Sequence, residues 1–180
     1  MPEPLLIVDV QNVFINDYTH HVPERILEQV ERLDPAPIIF TRFRNRPDGP
    51  YPRLLGWEDG MDEPACEIVD ALLDLASKNE VFDKPGTTGL PQELREHLVR
   101  SGLGKIHIAG IDTDMCVLKT ALDIFDLGIE PIVLTDCCAS TAGLQAHFAA
   151  LAVLARNIGA NRLVHTGTGE EALGAPRPDD

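Results

Sequence analysis

Short apolar runs alternate with amphipathic helical segments along most of the 180 residues. The first run, residues 5–10, is nearly continuously apolar and rich in β-branched side chains, which is typical of a strand buried in a parallel sheet. Comparable runs follow at residues 38–41, 80–83, 106–109, 131–135 and 162–165. This alternation predicts an α/β fold: a doubly wound, mostly parallel six-stranded sheet with helices on both faces, in three layers.

Proline and glycine punctuate the helical segments. Three of the predicted helices begin at Pro23, Pro64 and Pro91, another follows the turn at Gly110, and the last covers residues 141–158. The sequence contains no internal repeat and no linker. We therefore predict a single domain over residues 1–167, followed by a mobile tail at residues 168–180.

Composition limits the classes of partner and the compartment. A net charge of −14 would repel polyanions and anionic lipid, so we expect neither a nucleic-acid nor a membrane partner. The four cysteines show no CxxC spacing, and no secretory signal or transmembrane-length apolar run is present. We expect a soluble, cytoplasmic protein with reduced cysteines that acts on a small molecule.

The longest segment without periodicity, residues 42–62, has the length of a binding loop or lid. Arg42 at its start either clamps a substrate carboxylate with its guanidinium fork or is an ordinary exposed loop arginine. Phe43 and Trp57 in this loop and Phe14 after the first strand either wall a substrate pocket or pack beneath the loop. Phe14, Arg42 and Trp57 are accordingly the candidate substrate-binding residues.

Four side chains with useful chemistry fall at or just past the carboxyl ends of the first four predicted strands. They are Asp9, Arg42, Lys84 and Cys116. In doubly wound sheets this edge binds the ligand, so the fold alone brings them to one rim. Taken singly, Asp9 could bond to nearby backbone and Lys84 could be a solvated surface lysine.

Cys116 lies in the first turn of a predicted helix that follows a strand and a tight turn. Unpaired backbone N–H groups and the helix dipole favour a thiolate at this position, which predicts a reactive cysteine. The alternative is that Cys116 is a small buried core residue, as free cysteines often are. A thiolate nucleophile also needs a proton acceptor and a cation, and Asp9 and Lys84 supply these.

Several segments of the sequence resemble those of the isochorismatase-like cysteine hydrolases, a family that includes nicotinamidases, N-carbamoylsarcosine amidohydrolase and ureidoacrylate hydrolases. The resemblance covers residues 5–165 and is carried by LLIVDVQNVF, FDKPGTTGL, AGIDTDMCVLKTALDIFDLG and IVLTDCCAS. It implies that Asp9 is the proton-transfer base, Lys84 its cationic partner and Cys116 the nucleophile. It also implies a cis peptide between Ile111 and Asp112, an oxyanion hole made by the backbone N–H groups of Asp112 and Cys116, and a homo-oligomer, either a dimer or a tetramer.

The sequence also departs from the family pattern. Nicotinamidases carry an aspartate and several histidines after the second strand to hold a metal, whereas the corresponding segment here, TRFRNRPDGPYP, has no histidine. We therefore predict no metal and no other cofactor. The leading hypothesis is a cysteine-dependent hydrolase that cleaves a C–N bond of a small amide, carbamoyl or ureido compound through a thioester. The alternatives are hydrolysis of an ester or vinyl ether, and a non-catalytic binding or assembly domain.

Overall fold

The computed structural model of the protein describes residues 2–87 and 89–167. Six strands form one sheet in the order β3-β2-β1-β4-β5-β6, and every neighbouring pair is parallel. The strands are β1 Leu5–Val8, β2 Ile38–Phe43, β3 Glu80–Lys84, β4 Lys105–Ile111, β5 Glu130–Ala139 and β6 Leu163–Val164. The helices are α1 Val22–Leu33, α2 Asp70–Ser77, α3 Gln92–Ser101, α4 Leu118–Asp126 and α5 Leu144–Ile158. The predicted doubly wound α/β fold is confirmed.

Each face of the sheet is covered by helices. Side chains of α1 and α2 pack with Leu5 and Ile7 on one face. Side chains of α3, α4 and α5 pack with Leu6 and Val8 on the other. Because successive strand residues point to opposite faces, a strand covered on both sides must be apolar throughout, which explains the unbroken Leu5–Val8 run.

The winding direction reverses between β1 and β4, which are neighbours in the sheet. From β1 the chain proceeds outward through β2 and β3, and from β4 it proceeds the other way through β5 and β6. The segments that leave the carboxyl ends of β1 and β4 therefore diverge and open a crevice. Asp9 follows β1, and the turn containing Cys116 follows β4.

Helix α2 begins at Asp70, so the prediction that it starts at Pro64 is wrong. Residues before Asp70 pair with the segment after β1 instead. Ile68 forms an antiparallel bridge with Gln11, and the Val69 N–H donates to Val10 at 3.1 Å. A backbone whose hydrogen bonds are used in this way is not available for a helical turn.

No helix in residues 2–87 and 89–167 is both long enough and apolar enough to cross a bilayer. The predicted tail, residues 168–180, lies outside the described part of the chain. The assignment of residues 1–167 to a single domain stays a prediction.

Candidate active site

Asp9 is the first residue beyond β1 and is fully buried. Its backbone has φ +50°, in the left-handed region, which Asp tolerates better than most residues. Its Oδ1 accepts a hydrogen bond of 2.7 Å from the hydroxyl of Thr41, which lies in β2. The sequence analysis did not identify Thr41 as a site residue. Its place two residues before the end of β2, near the edge of the sheet that binds ligands, is the signal that could have found it.

Lys84 is the last residue of β3, and its side chain is fully buried. Its Nζ lies 2.6 Å from Oδ2 of Asp9 and 3.3 Å from Sγ of Cys116, and it donates to the Gly86 carbonyl at 3.0 Å. An ammonium group has three hydrogens to donate, so these contacts account for all of them. The structure thus brings together three of the four residues that the sequence placed on one rim, namely Asp9, Lys84 and Cys116.

Cys116 lies in a π-helical turn, Thr113–Val117, that connects β4 to α4. The turn is closed by a 3.0 Å hydrogen bond from the Val117 N–H to the Asp112 carbonyl. The peptide bond between Ile111 and Asp112 is cis. The sulfur is buried, with 7% of the residue exposed.

Gly110 allows β4 to approach β1 closely beneath this turn. It has φ +136°, and a Cβ atom there would lie 2.1 Å from the Val8 carbonyl oxygen. No side chain fits in that space. The glycine therefore helps to set the distance between the Cys116 turn and Asp9.

The Cys116 thiol holds its proton more tightly than an ordinary cysteine. Burial raises its pKa first, and the charge of Asp9, to which the thiol is hydrogen-bonded, raises it further. Lys84 lowers the pKa, but not enough to offset these effects. Burial and Asp9 thus oppose the resting thiolate that a helix terminus favours. The sulfur needs a base to become a nucleophile.

Burial on its own would lower the pKa of Lys84, but Asp9 and Cys116 raise it and the net shift is upward. Lys84 consequently stays protonated in the folded protein. A permanent ammonium group stabilises negative charge on either the sulfur or the carboxylate. The arrangement lets a proton pass between Cys116 and Asp9 while the cation stays in place.

Asp112 is buried and directly precedes the turn that holds Cys116. Burial raises its pKa to about 6, although Thr141 opposes the shift with its backbone N–H and hydroxyl. These two groups donate to the carboxylate at 2.6 Å and 3.0 Å. The side chain of Asp112 thus ties the nucleophile turn to the segment between β5 and α5.

An aromatic cluster borders the site. The rings of Phe14 and Trp57 are stacked with centroids 6.3 Å apart, and Phe43 and Tyr51 pack against Trp57 at 5.9 Å and 5.6 Å. Burial raises the pKa of Tyr51, and the charge of Cys116 raises it further, which places Tyr51 within electrostatic range of the sulfur. Tyr51 was not among the site residues predicted from the sequence. Its position in the 42–62 loop, the predicted binding loop, is the feature that could have indicated it.

Arg42 does not reach the site. Its guanidinium donates to Asp83 at 2.7 Å and 3.1 Å and to Glu67 at 3.0 Å, so all three of its nitrogens are engaged. The register explains this placement, because Arg42 pairs with Asp83 and the next residue, Phe43, pairs with Lys84. Adjacent strand residues point to opposite faces, so Arg42 and Lys84 lie on different sides of the sheet. The hypothesis that Arg42 clamps a substrate carboxylate is therefore corrected.

Gln11 organises the loop next to the site. Its buried amide accepts from the Phe43 N–H at 2.7 Å and donates to the carbonyls of Phe43 and Cys66 at 2.8 Å and 2.7 Å. It therefore joins the end of β2 to the segment that precedes α2. Gln11, two residues after Asp9, thus holds together the two segments that follow β1 and β2.

The segment after β2 does not fit a metal ion. Phe43 packs in the aromatic cluster, and the Asn45 amide donates to the carbonyls of Trp57 and Asp59 at 3.1 Å and 2.9 Å. Within the described residues no group of three or more His, Cys, Asp or Glu side chains is placed to hold a metal.

Comparison with known proteins places these residues in a family context. A family model described as the isochorismatase domain matches residues 3–166. Isochorismatase domain-containing protein 2 of Xenopus laevis is 27% identical over 129 residues, which are 71% of this chain and 53% of that protein. The chain thus spans about half of the length of the frog protein. Nicotinamidase 3 of Arabidopsis thaliana is 25% identical over 168 residues, or 84% of this chain and 79% of that protein.

Solved structures share the fold at low sequence identity. Nicotinamidase PncA from Bacillus subtilis superposes with a TM-score of 0.75 at 22% identity, covering 88% of this chain and 97% of that one. N-carbamoylsarcosine amidase from Thermoplasma acidophilum gives a TM-score of 0.71 at 24% identity, with 88% and 94% covered. These structural similarities show the fold. The match to the family model includes all six strands of the sheet. The chain belongs to the isochorismatase family.

Proposed function

We propose that this protein is a cysteine-dependent, metal-independent hydrolase that cleaves a C–N bond of a small amide, carbamoyl or ureido compound. The observation that carries the proposal is the position of Lys84, with its Nζ 2.6 Å from Asp9 and 3.3 Å from the Cys116 sulfur. Membership of a hydrolase family supports it, as do structural neighbours that are described as a nicotinamidase and a carbamoylsarcosine amidase.

In the first half of the reaction the thiol proton of Cys116 moves to Asp9 as the sulfur attacks the substrate carbonyl carbon. Negative charge develops on the carbonyl oxygen, and the backbone N–H groups of Asp112 and Cys116 are the proposed donors to it. The protonated Asp9 then gives its proton to the departing nitrogen. The C–N bond breaks, ammonia or an amine leaves, and the acyl group stays on sulfur as a thioester.

In the second half a water molecule replaces the amine. Asp9 takes a proton from the water, whose oxygen attacks the thioester carbonyl. The C–S bond breaks, the acid leaves, and the proton on Asp9 returns to the sulfur. Lys84 remains an ammonium group throughout and stabilises whichever of Asp9 or Cys116 carries the negative charge.

The test is ammonia release from a panel of small amides, carbamoyl compounds and ureido compounds, with wild type compared to Cys116→Ala. We expect the variant to lose activity completely and the wild type to show an acyl adduct on Cys116 in acid-quenched mass spectra. The matched control is Cys137→Ala, which removes a buried cysteine on the opposite face of the sheet from the Cys116 cluster. Ammonia release at the wild-type rate by Cys116→Ala would refute the proposal.

The same panel separates the competing hypotheses. Turnover of an ester or an enol ether, with no ammonia from any amide, would favour the second hydrolase activity. No turnover at all by a folded protein would favour a non-catalytic domain. The homo-oligomer and the cytoplasmic location stay predictions.

A further inference from the structure

We propose that this site selects substrates whose acyl group carries no negative charge, because the cations that the described residues place there are already paired while the side chains next to Cys116 include acidic groups and an aromatic ring. The inference rests on the proposed function and names its substrate class. The substrates are neutral amides, carbamoyl or ureido compounds, rather than compounds that also carry a carboxylate.

The cation nearest to the sulfur is fully occupied. Lys84 is buried, and its three donor hydrogens are accounted for by Asp9, Cys116 and the Gly86 carbonyl. A substrate carboxylate could bind Lys84 only by displacing Asp9, which is the base that the reaction needs. The ammonium and the Asp9 carboxylate together form a neutral pair.

The two arginines at the end of β2 are also committed. Arg42 and Arg44 both bind Asp83 and Glu67, and the contacts lie between 2.7 Å and 3.2 Å. This group of four charges is neutral overall and lies on the side of the sheet away from Lys84. Neither arginine is available as a carboxylate clamp.

The other ionisable side chains close to the Cys116 sulfur are acidic. Asp9 contacts the Cys116 thiol, Asp112 begins the turn, and Asp114 belongs to the same turn. After burial, which is the largest effect, the charge of Asp9 raises the pKa of Cys116, and those of Asp114 and Asp9 raise that of Asp112. The pKa of Tyr51 is also raised, by burial and then by Cys116. These acidic groups offer no positive charge to an anionic acyl group, and burial makes any additional negative charge here unfavourable.

The remaining wall is apolar. The rings of Phe14, Phe43, Tyr51 and Trp57 lie in contact, with centroids 5.2 Å to 6.3 Å apart. Aromatic faces carry negative potential and do not replace the water lost by a carboxylate. They suit an uncharged acyl group, whose apolar surface gains from burial.

The test uses two alkylating reagents that differ mainly in charge. Iodoacetamide is itself a small neutral amide, and iodoacetate has the same size and leaving group but carries a carboxylate. Both alkylate the same sulfur, so the ratio of their rates does not depend on how much thiolate is present. Rates at Cys116 are measured by mass spectrometry and compared with those of an unstructured peptide thiol under the same conditions.

We expect the preference for iodoacetamide over iodoacetate to be at least about tenfold greater at Cys116 than in the peptide, as repulsion by one or two unit charges across the site predicts. Cys116→Ser assigns the label, since the other cysteines, Cys66, Cys137 and Cys138, are buried. Arg53→Gln removes an exposed arginine of the 42–62 loop and should leave the ratio unchanged.

A ratio equal to that of the peptide, or a preference for iodoacetate, would overturn the proposal. If Arg53→Gln abolished such a preference, Arg53 would be an anion clamp, which would overturn it as well. Failure of iodoacetamide to label Cys116, even at a pH at which the peptide thiol is fully ionised, would overturn the proposal too, since a site that selects small neutral amides must admit this one. Alkylation requires no turnover, so the charge selection is measured separately from the hydrolase activity that Cys116→Ala tests.

Discussion

The carboxylate of Asp112 accepts hydrogen bonds from both the backbone N–H and the hydroxyl of Thr141, at 2.6 Å and 3.0 Å. This contact is partly buried and connects the Cys116 turn to the start of the segment that leads into α5. Because the two groups follow the neighbouring strands β4 and β5, this contact joins the Cys116 turn to the adjacent loop through one carboxyl group.

Asp112→Asn should change how stability depends on pH. The pKa of Asp112 is about 6, against an ordinary value of 3.8, because it is buried, so the folded protein binds this proton more tightly than the unfolded chain. The stability that comes from binding this proton is complete below 3.8, the pKa of Asp112 in the unfolded chain, and is lost as the pH rises through about 6. The asparagine does not titrate, so the variant should gain up to about 3 kcal/mol relative to wild type between pH 4 and pH 7.

Urea unfolding across that pH range measures the difference. The matched control is Asp126→Asn, which removes an exposed carboxylate from α4 and keeps the contact with Thr141. A constant difference between Asp112→Asn and wild type at every pH would contradict the assignment.

His147 is expected to position the nucleophile turn through Thr113. Its Nδ1 lies 2.8 Å from the Thr113 hydroxyl, and both residues are buried. His147→Ala leaves that hydroxyl without this partner, so we expect a loss of about 1–3 kcal/mol in stability and a fall in kcat with little change in KM. His147→Asn can replace the Nδ1 contact and should restore most of kcat.

A double-mutant cycle with Thr113→Val checks this coupling. Thr113→Val and His147→Ala should cost less together than the sum of their separate effects. Fully additive losses would mean that His147 acts elsewhere.

Lys84→Met should abolish activity and destabilise the fold. It leaves the Asp9 carboxylate buried without its cation, a situation that typically costs about 3–5 kcal/mol. We expect kcat/KM to fall by at least about 100-fold, measured at a temperature where circular dichroism shows the variant to be folded.

Arg42→Gln is the matched control, since it removes a cation from the same edge of the sheet but from the opposite face. Its kcat and KM should stay near wild type, while the free energy of unfolding falls because Asp83 and Glu67 lose a partner. A large rise in KM for Arg42→Gln would restore Arg42 as a substrate contact.

Gly110→Ala should disrupt the pairing of β4 with β1. The added Cβ would lie 2.1 Å from the Val8 carbonyl oxygen, and alanine is strained at φ +136°. We expect a loss of about 3 kcal/mol or more in stability, or no folded protein. Gly104→Ala is the control, because a Cβ there meets nothing within 4 Å. Equal stability of the two variants in thermal unfolding would contradict the close approach.

The sequence by itself determined the architecture and the rim on which the chemistry lies. Apolar runs such as Leu5–Val8, separated by helical stripes, require a parallel sheet covered on both sides. In such a sheet the residues just past the strand ends share one edge, which is why Asp9, Lys84 and Cys116 could be grouped before any coordinates. Local physics suffices here, because strand periodicity is a property of short segments and β-α-β connections have a nearly invariant handedness.

The tertiary structure decided which side of that edge each side chain occupies and what charge it carries. Strand register separates Arg42 from Lys84, because Arg42 pairs with Asp83 and the next residue pairs with Lys84. A shift of one residue in register would move a side chain to the other face of the sheet, and composition does not reveal the register. The proton on Cys116 depends on burial and on Asp9, which come from distant parts of the chain and together outweigh the local effect of a helix terminus. Protonation in a low-dielectric site depends on all nearby charges, so it can be known only once the chain has folded.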